Sequence, residues 1–225
     1  MYRHRRQHPR RNGGRAGRDE SLWVRGVHVC RDVASRRRNP ICEHDGTEEY
    51  ARPVNAVKIL ETERLFIRQL TIDDANFIFE LLNDPSFIRY IGDRNIRSVE
   101  DAQAYVLNGP VASYAQNGFG LSLVILRATG ESIGMCGLIK RNELEDVDIG
   151  YAYLPRYWFK GYAVEAALAM KSYAKETVRL KRLVAIVNPT NTSSIRVLEK
   201  IGMKFESMFK RPESVIDLKL FSCDL

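Results

Sequence analysis

From Val57 onward the chain contains no histidine; all four, at positions 4, 8, 28 and 44, fall within the first 56 residues. That absence removes Ser-His-Asp and Cys-His hydrolase chemistry, and most zinc-hydrolase sites, from the larger part of the chain. No Gly-x-x-x-x-Gly-Lys-Ser/Thr phosphate loop occurs, which argues against a P-loop nucleotidase. No run approaches the ~20 consecutive apolar residues that a membrane-spanning helix needs. Residues 1–18, crowded with arginine, lack the apolar centre of a secretory signal. A cytoplasmic protein with no membrane partner is the expectation. Any proton transfer in the body of the chain falls to carboxylates, tyrosine, serine or water.

Cysteine is scarce as well, with four residues at 30, 42, 136 and 223. None demands a disulfide, and Cys136 and Cys223 read as small apolar residues within strands. His28-x-Cys30 and Cys42-x-His44 are ligand types that zinc accepts. Their spacing is not that of a common zinc motif and the segment between them carries no fold signal, so no metal is expected.

Lysine is missing from residues 1–56, which hold 13 arginines and seven acids, whereas the rest of the chain holds 22 basic and 21 acidic residues. The formal net charge of +7 therefore resides almost wholly in the first segment. Such an arm could bind phosphate backbones through charge. The preferred reading is a disordered Arg-rich extension, too poor in apolar residues to order itself, or residues absent from the mature protein. An organelle transit peptide is disfavoured by Asp19, Glu20 and Asp32. A nucleic-acid partner is expected only through this arm, if at all. The chain thus divides into an extension, 1–56, and one domain, 57–225.

Within that domain the pattern is regular. Leu60 to Arg68 reads as one strand leading into a turn. Thr71 caps a helix with Phe77, Ile78, Leu81 and Leu82 at helical spacing. Ser98-Val99-Glu100-Asp101 has capping-box spacing and opens a second helix, expected to end by Asn108-Gly109-Pro110. Strands 120–127 and 132–140 form a hairpin around Ala128-Thr129-Gly130, and a third strand spans 147–154. Residues 162–177 read as a helix with Ala163, Ala166, Ala167, Met170 and Ala174 on one side. Leu183 to Val187 is a continuously apolar strand, suited to burial on both faces. Asn191 to Ile201 is a helix ended by Gly202. Strands 204–209 and 214–222 close the chain around Arg211-Pro212-Glu213. A mixed α/β sheet with helices on both faces accommodates this order.

The segment Asp148-Ile149-Gly150-Tyr151-Ala152-Tyr153-Leu154-Pro155-Arg156-Tyr157-Trp158-Phe159-Lys160-Gly161-Tyr162-Ala163-Val164-Glu165-Ala166 is a strand, a turn and a helix start. A helix N-terminus exposes free N–H groups and the positive end of its dipole, so it can hold a pyrophosphate. The small residues Gly161 and Ala163 leave that backbone approachable. A close-packed strand-to-helix turn is the plainer alternative.

The same segment resembles the acetyl-CoA-binding motif of the GNAT superfamily of N-acetyltransferases. The similarity is greatest to the ribosomal-protein N-terminal acetyltransferases, with Asp148-Ile149-Gly150-Tyr151 and Trp158 through Ala166 in their places. Asn191-Thr192-Ser193-Ser194-Ile195-Arg196-Val197-Leu198-Glu199-Lys200-Ile201-Gly202-Met203 resembles the family's second motif. Glu61-Thr62-Glu63-Arg64-Leu65 resembles its opening strand. The resemblance covers 57–225 and implies a mixed, mostly antiparallel, twisted central sheet. It implies transfer of acetyl from acetyl-CoA, without a metal, to a primary amine on a protein N-terminus or a small molecule.

By position, the backbone of Ala152, Tyr153 and Leu154 would run beside the pantetheine arm. The amides of Phe159, Lys160, Gly161, Tyr162 and Ala163 would cradle the pyrophosphate. Asn191 and Ser194 would lie near the thiol end. The reaction implied is direct attack of a neutral amine through a tetrahedral intermediate whose oxyanion needs a backbone donor. Asp148 stands where several members carry a glutamate base, and is otherwise a solvated strand-end carboxylate; any relay from it would run through water. Ser194 is the candidate acid, or a cofactor-positioning group. Leu198 stands where many relatives place a tyrosine.

Phe159 departs from the branch, which has glycine there; its ring either turns outward or narrows the groove. The acceptor groove would be walled by the two early helices and the last hairpin, with Tyr90, Tyr114 and Tyr151 as candidates for its lining or for the core. The enzyme would act as a monomer or homodimer. Two other readings are a degenerate acetyl-CoA-binding regulatory module and a nucleic-acid-associated protein using the arginine arm.

Overall fold

A computed structural model describes residues 57–210 and 216–225. The readings placed on residues 1–56, including the His/Cys pattern, and on Arg211-Pro212-Glu213 lie outside the described residues.

Eight strands form one sheet in the order β1-β2-β3-β4-β5-β6-β8-β7. They are β1 (Lys58–Glu61), β2 (Leu65–Gln69), β3 (Leu121–Leu126), β4 (Ser132–Ile139), β5 (Asp148–Tyr153), β6 (Arg182–Val187), β7 (Lys204–Phe209) and β8 (Leu218–Asp224). Every neighbouring pair is antiparallel except β5–β6. Helices cover both faces, as the pattern predicts: α1 (Ala75–Asn83), α2 (Pro85–Tyr90), α3 (Val99–Val106), α4 (Ala112–Asn117), α5 (Tyr162–Glu176) and α6 (Thr192–Lys200).

Several sequence expectations hold to within a residue or two. The capping box forms, with Asp101 N–H on Ser98 Oγ at 3.1 Å and Ser98 N–H on Asp101 Oδ2 at 3.0 Å. β6 is continuously apolar from Leu183 to Val187 and fully packed at Leu183, Val184 and Ala185. Gly202, at φ +83°, follows the end of α6. Cys136 is buried in β4 and Cys223 half-buried in β8.

Four expectations change. Residues 60–68 are two strands rather than one. The chain reverses at Thr62–Arg64, where Thr62 N–H reaches Leu65 O at 2.9 Å and Arg127 Nη1 binds the Thr62 carbonyl at 2.9 Å. The helix begun at Ser98 does not stop at Asn108-Gly109-Pro110. It continues through a π turn, Leu107–Val111, into α4, with Pro110 buried inside. Proline lacks an N–H and crowds the carbonyl four residues earlier, and the wider π turn relieves both. Finally, α2 is an added helix, set by Asp84, whose Oδ1 accepts from Ser86 N–H at 2.8 Å, and by Pro85 in the first turn. The closing strand also runs to Asp224, two residues past Ser222, because Cys223 and Asp224 pair with Leu183 and Arg182 of β6.

The core lies between the sheet and its helices. Leu65, Ile67, Leu123, Leu138 and Leu183 are completely buried, each such side chain contributing about 1.5–3 kcal/mol. The small face of α5 (Ala166, Ala167, Ala174, with Met170) is buried, so the helix backbone approaches β4 and β5 closely. That approach fixes where the N-terminus of α5 emerges.

Candidate active site

The β5–β6 register consists of a single pair, Asp148↔Val184, with Val184 N–H on the Val147 carbonyl at 3.0 Å. Beyond it β5 stays paired to β4 as far as Gly134↔Tyr153, while β6 departs to pair with β8. The sheet therefore opens into a wedge. Leu154 N–H is committed to Ile133 O at 3.1 Å. By the alternation of antiparallel ladders, the backbone of Tyr151 and Tyr153 then turns the other way, toward the wedge. Tyr153 O accepts from Trp158 Nε1 at 2.7 Å. Of the expected trio, Tyr153 offers its amide to the wedge, Ala152 lines the adjoining cavity, and Leu154 is held within the sheet.

The turn after β5 brings the start of α5 to the mouth of the wedge. Gly161 has φ +85° and Phe159 φ +61°, both left-handed. Gly161 adopts this freely, and it lets the chain swing so that the first amides of α5 face outward. The Phe159 side chain is 86% exposed and meets the Trp158 ring edge-on at 6.3 Å. The ring thus lies at the surface, on the rim of the loop, rather than in the core.

This loop is stapled to the β1–β2 turn. Arg64 Nη1 donates to Lys160 O at 3.0 Å, Arg64 Nε to Glu165 Oε2 at 2.7 Å, and Arg64 N–H to Glu165 Oε1 at 3.0 Å. Thr62 Oγ1 adds a bond to Glu165 Oε1 at 2.6 Å, and the Arg64 guanidinium lies 4.7 Å from the Tyr162 ring centre. Burial acts to raise the Glu165 pKa, but the hydrogen bonds from Thr62 and Arg64 outweigh it and hold the carboxyl below its ordinary value.

Two cavities meet at the wedge. The larger, of about 330 Å³, is lined by Ala152, Tyr153, Phe159, Gly161, Tyr162 and Ala163, among others. The smaller, of about 150 Å³, lies on the Asp148 side. Tyr90, Tyr151, Asn191 and Ser194 border both. Tyr151 Oη lies 2.9 Å from Ser194 Oγ and 3.0 Å from the Ser194 carbonyl. Burial pushes the Tyr151 pKa far above the usual tyrosine value, outweighing the Ser194 bond, so the phenol keeps its proton at neutral pH. Asn191 caps α6, its Oδ1 accepting from Ser194 N–H at 3.0 Å.

Asp148 is 1% exposed, which removes the solvated strand-end alternative; Arg141 Nε holds its Oδ2 at 2.5 Å. Tyr114 lines neither cavity: its hydroxyl accepts Leu70 N–H at 3.0 Å and donates to Leu121 O, tying α4 to the sheet. Lys160 is not among the lining residues. Sequence reasoning missed Arg196 and Lys200 on the larger cavity and Arg94 and Arg141 on the smaller. The spacing of four between Arg196 and Lys200, which sets both on one helical face, was the available signal.

Residues 64–204 match the family described as the acetyltransferase (GNAT) domain. The chain belongs to this family. Among its relatives is the uncharacterized N-acetyltransferase YnaD of Bacillus subtilis (strain 168), 34% identical over 152 residues, covering 68% of this chain and 86% of YnaD. A GNAT-family acetyltransferase of Bacillus anthracis is similar in structure, with a TM-score of 0.60 and 29% identity over 75% of this chain and 96% of that one. The same fold occurs in RimL, a ribosomal L7/L12 alpha-N-protein acetyltransferase solved in complex with coenzyme A (TM-score 0.66, 15% identity, 75% and 98% coverage). This GNAT chain is an N-acetyltransferase. No helix among its described residues is long and apolar enough to cross a membrane.

Proposed function

We propose that this acetyltransferase takes its acetyl group from acetyl-CoA and passes it to a primary amine by direct attack, in the cytoplasm. The observation that carries the reading is the wedge: β5 parts from β6 beyond Asp148 and joins two cavities of unequal size at the Tyr151–Ser194 contact. The residues present fit the donor. Backbone groups of Tyr151 and Tyr153 without a β6 partner suit an extended amide-bearing arm. The first amides of α5 suit a pyrophosphate, and the exposed Arg196 and Lys200 add positive charge beside it. The exposed Phe159 ring has room to stand aside from those amides, which favours a working site over a degenerate one.

When bound, acetyl-CoA supplies an activated acetyl thioester. Tyr151 and Ser194 hold hydroxyl protons where the cavities join, ready to meet negative charge as it develops. The Tyr151 phenol arrives from β5 at the turn of α6 that, in many relatives, bears a tyrosine further along; here that position is the buried Leu198. Asp148 is the one carboxylate among the residues lining the smaller cavity, and is the group to take the amine proton by way of water. Arg141 fixes its orientation.

The test is titration calorimetry of acetyl-CoA into the full 225-residue chain, with Phe159→Gly alongside. Saturable binding by the native chain, within a few-fold of the variant, is expected. Binding by neither protein would sink the reading. Binding by the glycine variant alone would mark a degenerate relative.

A further inference from the structure

We infer that the amine acceptor is a small molecule that also carries a carboxylate, held by Arg94 and Arg141 while its amino group reaches the Tyr151–Ser194 contact. This rests on the acetyl-CoA-dependent amine acetylation proposed above. The first argument is size. The acceptor-side cavity, about 150 Å³, amounts to roughly five water volumes at ~30 Å³ each and is smaller than the ~300 Å³ at which drug-sized ligand sites begin. It suits a compact acceptor.

The second argument is charge. Two guanidiniums, Arg94 and Arg141, line this cavity against one carboxylate, Asp148. Arg141 is largely buried, its side chain 20% exposed, and its bond to Asp148 employs Nε, one of the five donors a guanidinium carries. Arg94 makes no hydrogen bond or ion pair among the described residues. Tyr105 lines the same cavity, and the charges of both arginines act on its phenol, so the two cations and this phenol converge on one region. A site with surplus cationic donors, Arg141 inside and the exposed Arg94 at the rim, matches an anion and repels a second cation. A polyamine fits it poorly. A neutral protein N-terminus would leave Arg94 unanswered. A zwitterion with amine and carboxylate a few bonds apart answers both ends.

The experiment measures initial rates of the full chain with acetyl-CoA on matched acceptors: a set of amino acids, their carboxamides and methyl esters, a neutral tripeptide with a free N-terminus, and a diamine. The acid should exceed its own amide and ester by about 10- to 100-fold in kcat/KM, the range for hydrogen bonds to a charged partner. That preference should shrink as salt is added. Arg94→Gln should reduce it to within about threefold, chiefly through KM, with the KM for acetyl-CoA unmoved. Amides or esters that match or surpass their acids would overturn the inference while leaving amine acetylation intact, as would preference for the neutral tripeptide or diamine. Failure to acetylate any amine despite acetyl-CoA binding would overturn both.

Discussion

Phe159 occupies the left-handed region at φ +61°, a conformation that costs a non-glycine residue about 1–3 kcal/mol. The ribosomal-protein acetyltransferases that this segment resembles have glycine at this point, and this chain keeps the glycine-like backbone while carrying a ring. Phe159→Gly removes the strain but loosens the unfolded chain by about 0.4–1 kcal/mol. The net expectation is a gain of up to about 2.6 kcal/mol before the Trp158–Phe159 contact is counted, seen as a melting temperature unchanged or raised by several degrees. A fall would mean the Trp158–Phe159 contact contributes more than the strain costs. Tyr151 presents a different case, since its hydroxyl lies where the cavities meet. Tyr151→Phe keeps the ring and loses the proton donor, so kcat should drop about 100-fold or more with the KM for acetyl-CoA within twofold. Ser194→Ala should cost less in steady-state assays, because the Ser194 carbonyl still orients the phenol at 3.0 Å. Equal rates for Tyr151→Phe and the native enzyme would remove Tyr151 from the chemistry.

At the scale of elements, the staple between the β1–β2 turn and α5 links residues a hundred positions apart in the chain. Glu165 receives three groups, Thr62 Oγ1, Arg64 N–H and the Arg64 guanidinium, and Arg64 in turn holds the Lys160 carbonyl. A neutral amide cannot satisfy the same donors, so Glu165→Gln should loosen the loop that presents the first amides of α5. About tenfold weaker acetyl-CoA binding is expected by calorimetry, near 1.4 kcal/mol, with the KM for the amine little changed. Arg64→Lys should not rescue, because lysine lacks the fork that reaches Glu165 and Lys160 together.

The staple also explains which parts of the fold could be read from the chain. Elements whose signal is local were legible: the Ala128-Thr129-Gly130 hairpin, the Ser98 capping box, the alanine face of α5 and Gly202. The break at Thr62–Arg64 was not, because it contains no glycine or proline and is held by Arg127 and Glu165 from elsewhere. Pro110 misled, because proline normally marks a helix end and a π turn here absorbs it. The loop proposed to hold the pyrophosphate was visible in Gly161 and Ala163. The Arg141–Asp148 pair and Arg94 were not, since loop arginines carry no periodicity. The inward reach of Tyr151 was half legible: the sequence offered it for the groove lining or the core, because its parity on β5 fits either.

Over the whole molecule, stability and function draw on the same burial. The sheet holds Cys136 at 0% exposure on β4, opposite Tyr151, and Tyr114 hydrogen-bonds to Leu70, just past β2, and to Leu121 of β3. Burial pushes the Cys136 thiol from its ordinary 9.0 up to about 12. Burial likewise moves the Tyr114 phenol from 10.0 up to about 12. Both groups are neutral when protonated, and both pKa values are higher in the folded chain than in the unfolded one. Through the window from about 9 to 12 the unfolded chain releases these protons and the folded chain retains them, so stability is fully present below pH 9 and declines as the pH climbs toward 12. Urea midpoints should therefore contain no contribution from this pair between pH 7 and 8 and should fall steadily above pH 9. Cys136→Ala should flatten the first part of that fall, from 9 upward, and leave the tyrosine part beginning near 10. A native chain whose midpoint holds level to pH 11 would show that neither group is shielded from water, and the packing of β4 against β5 that frames the wedge would then need revision.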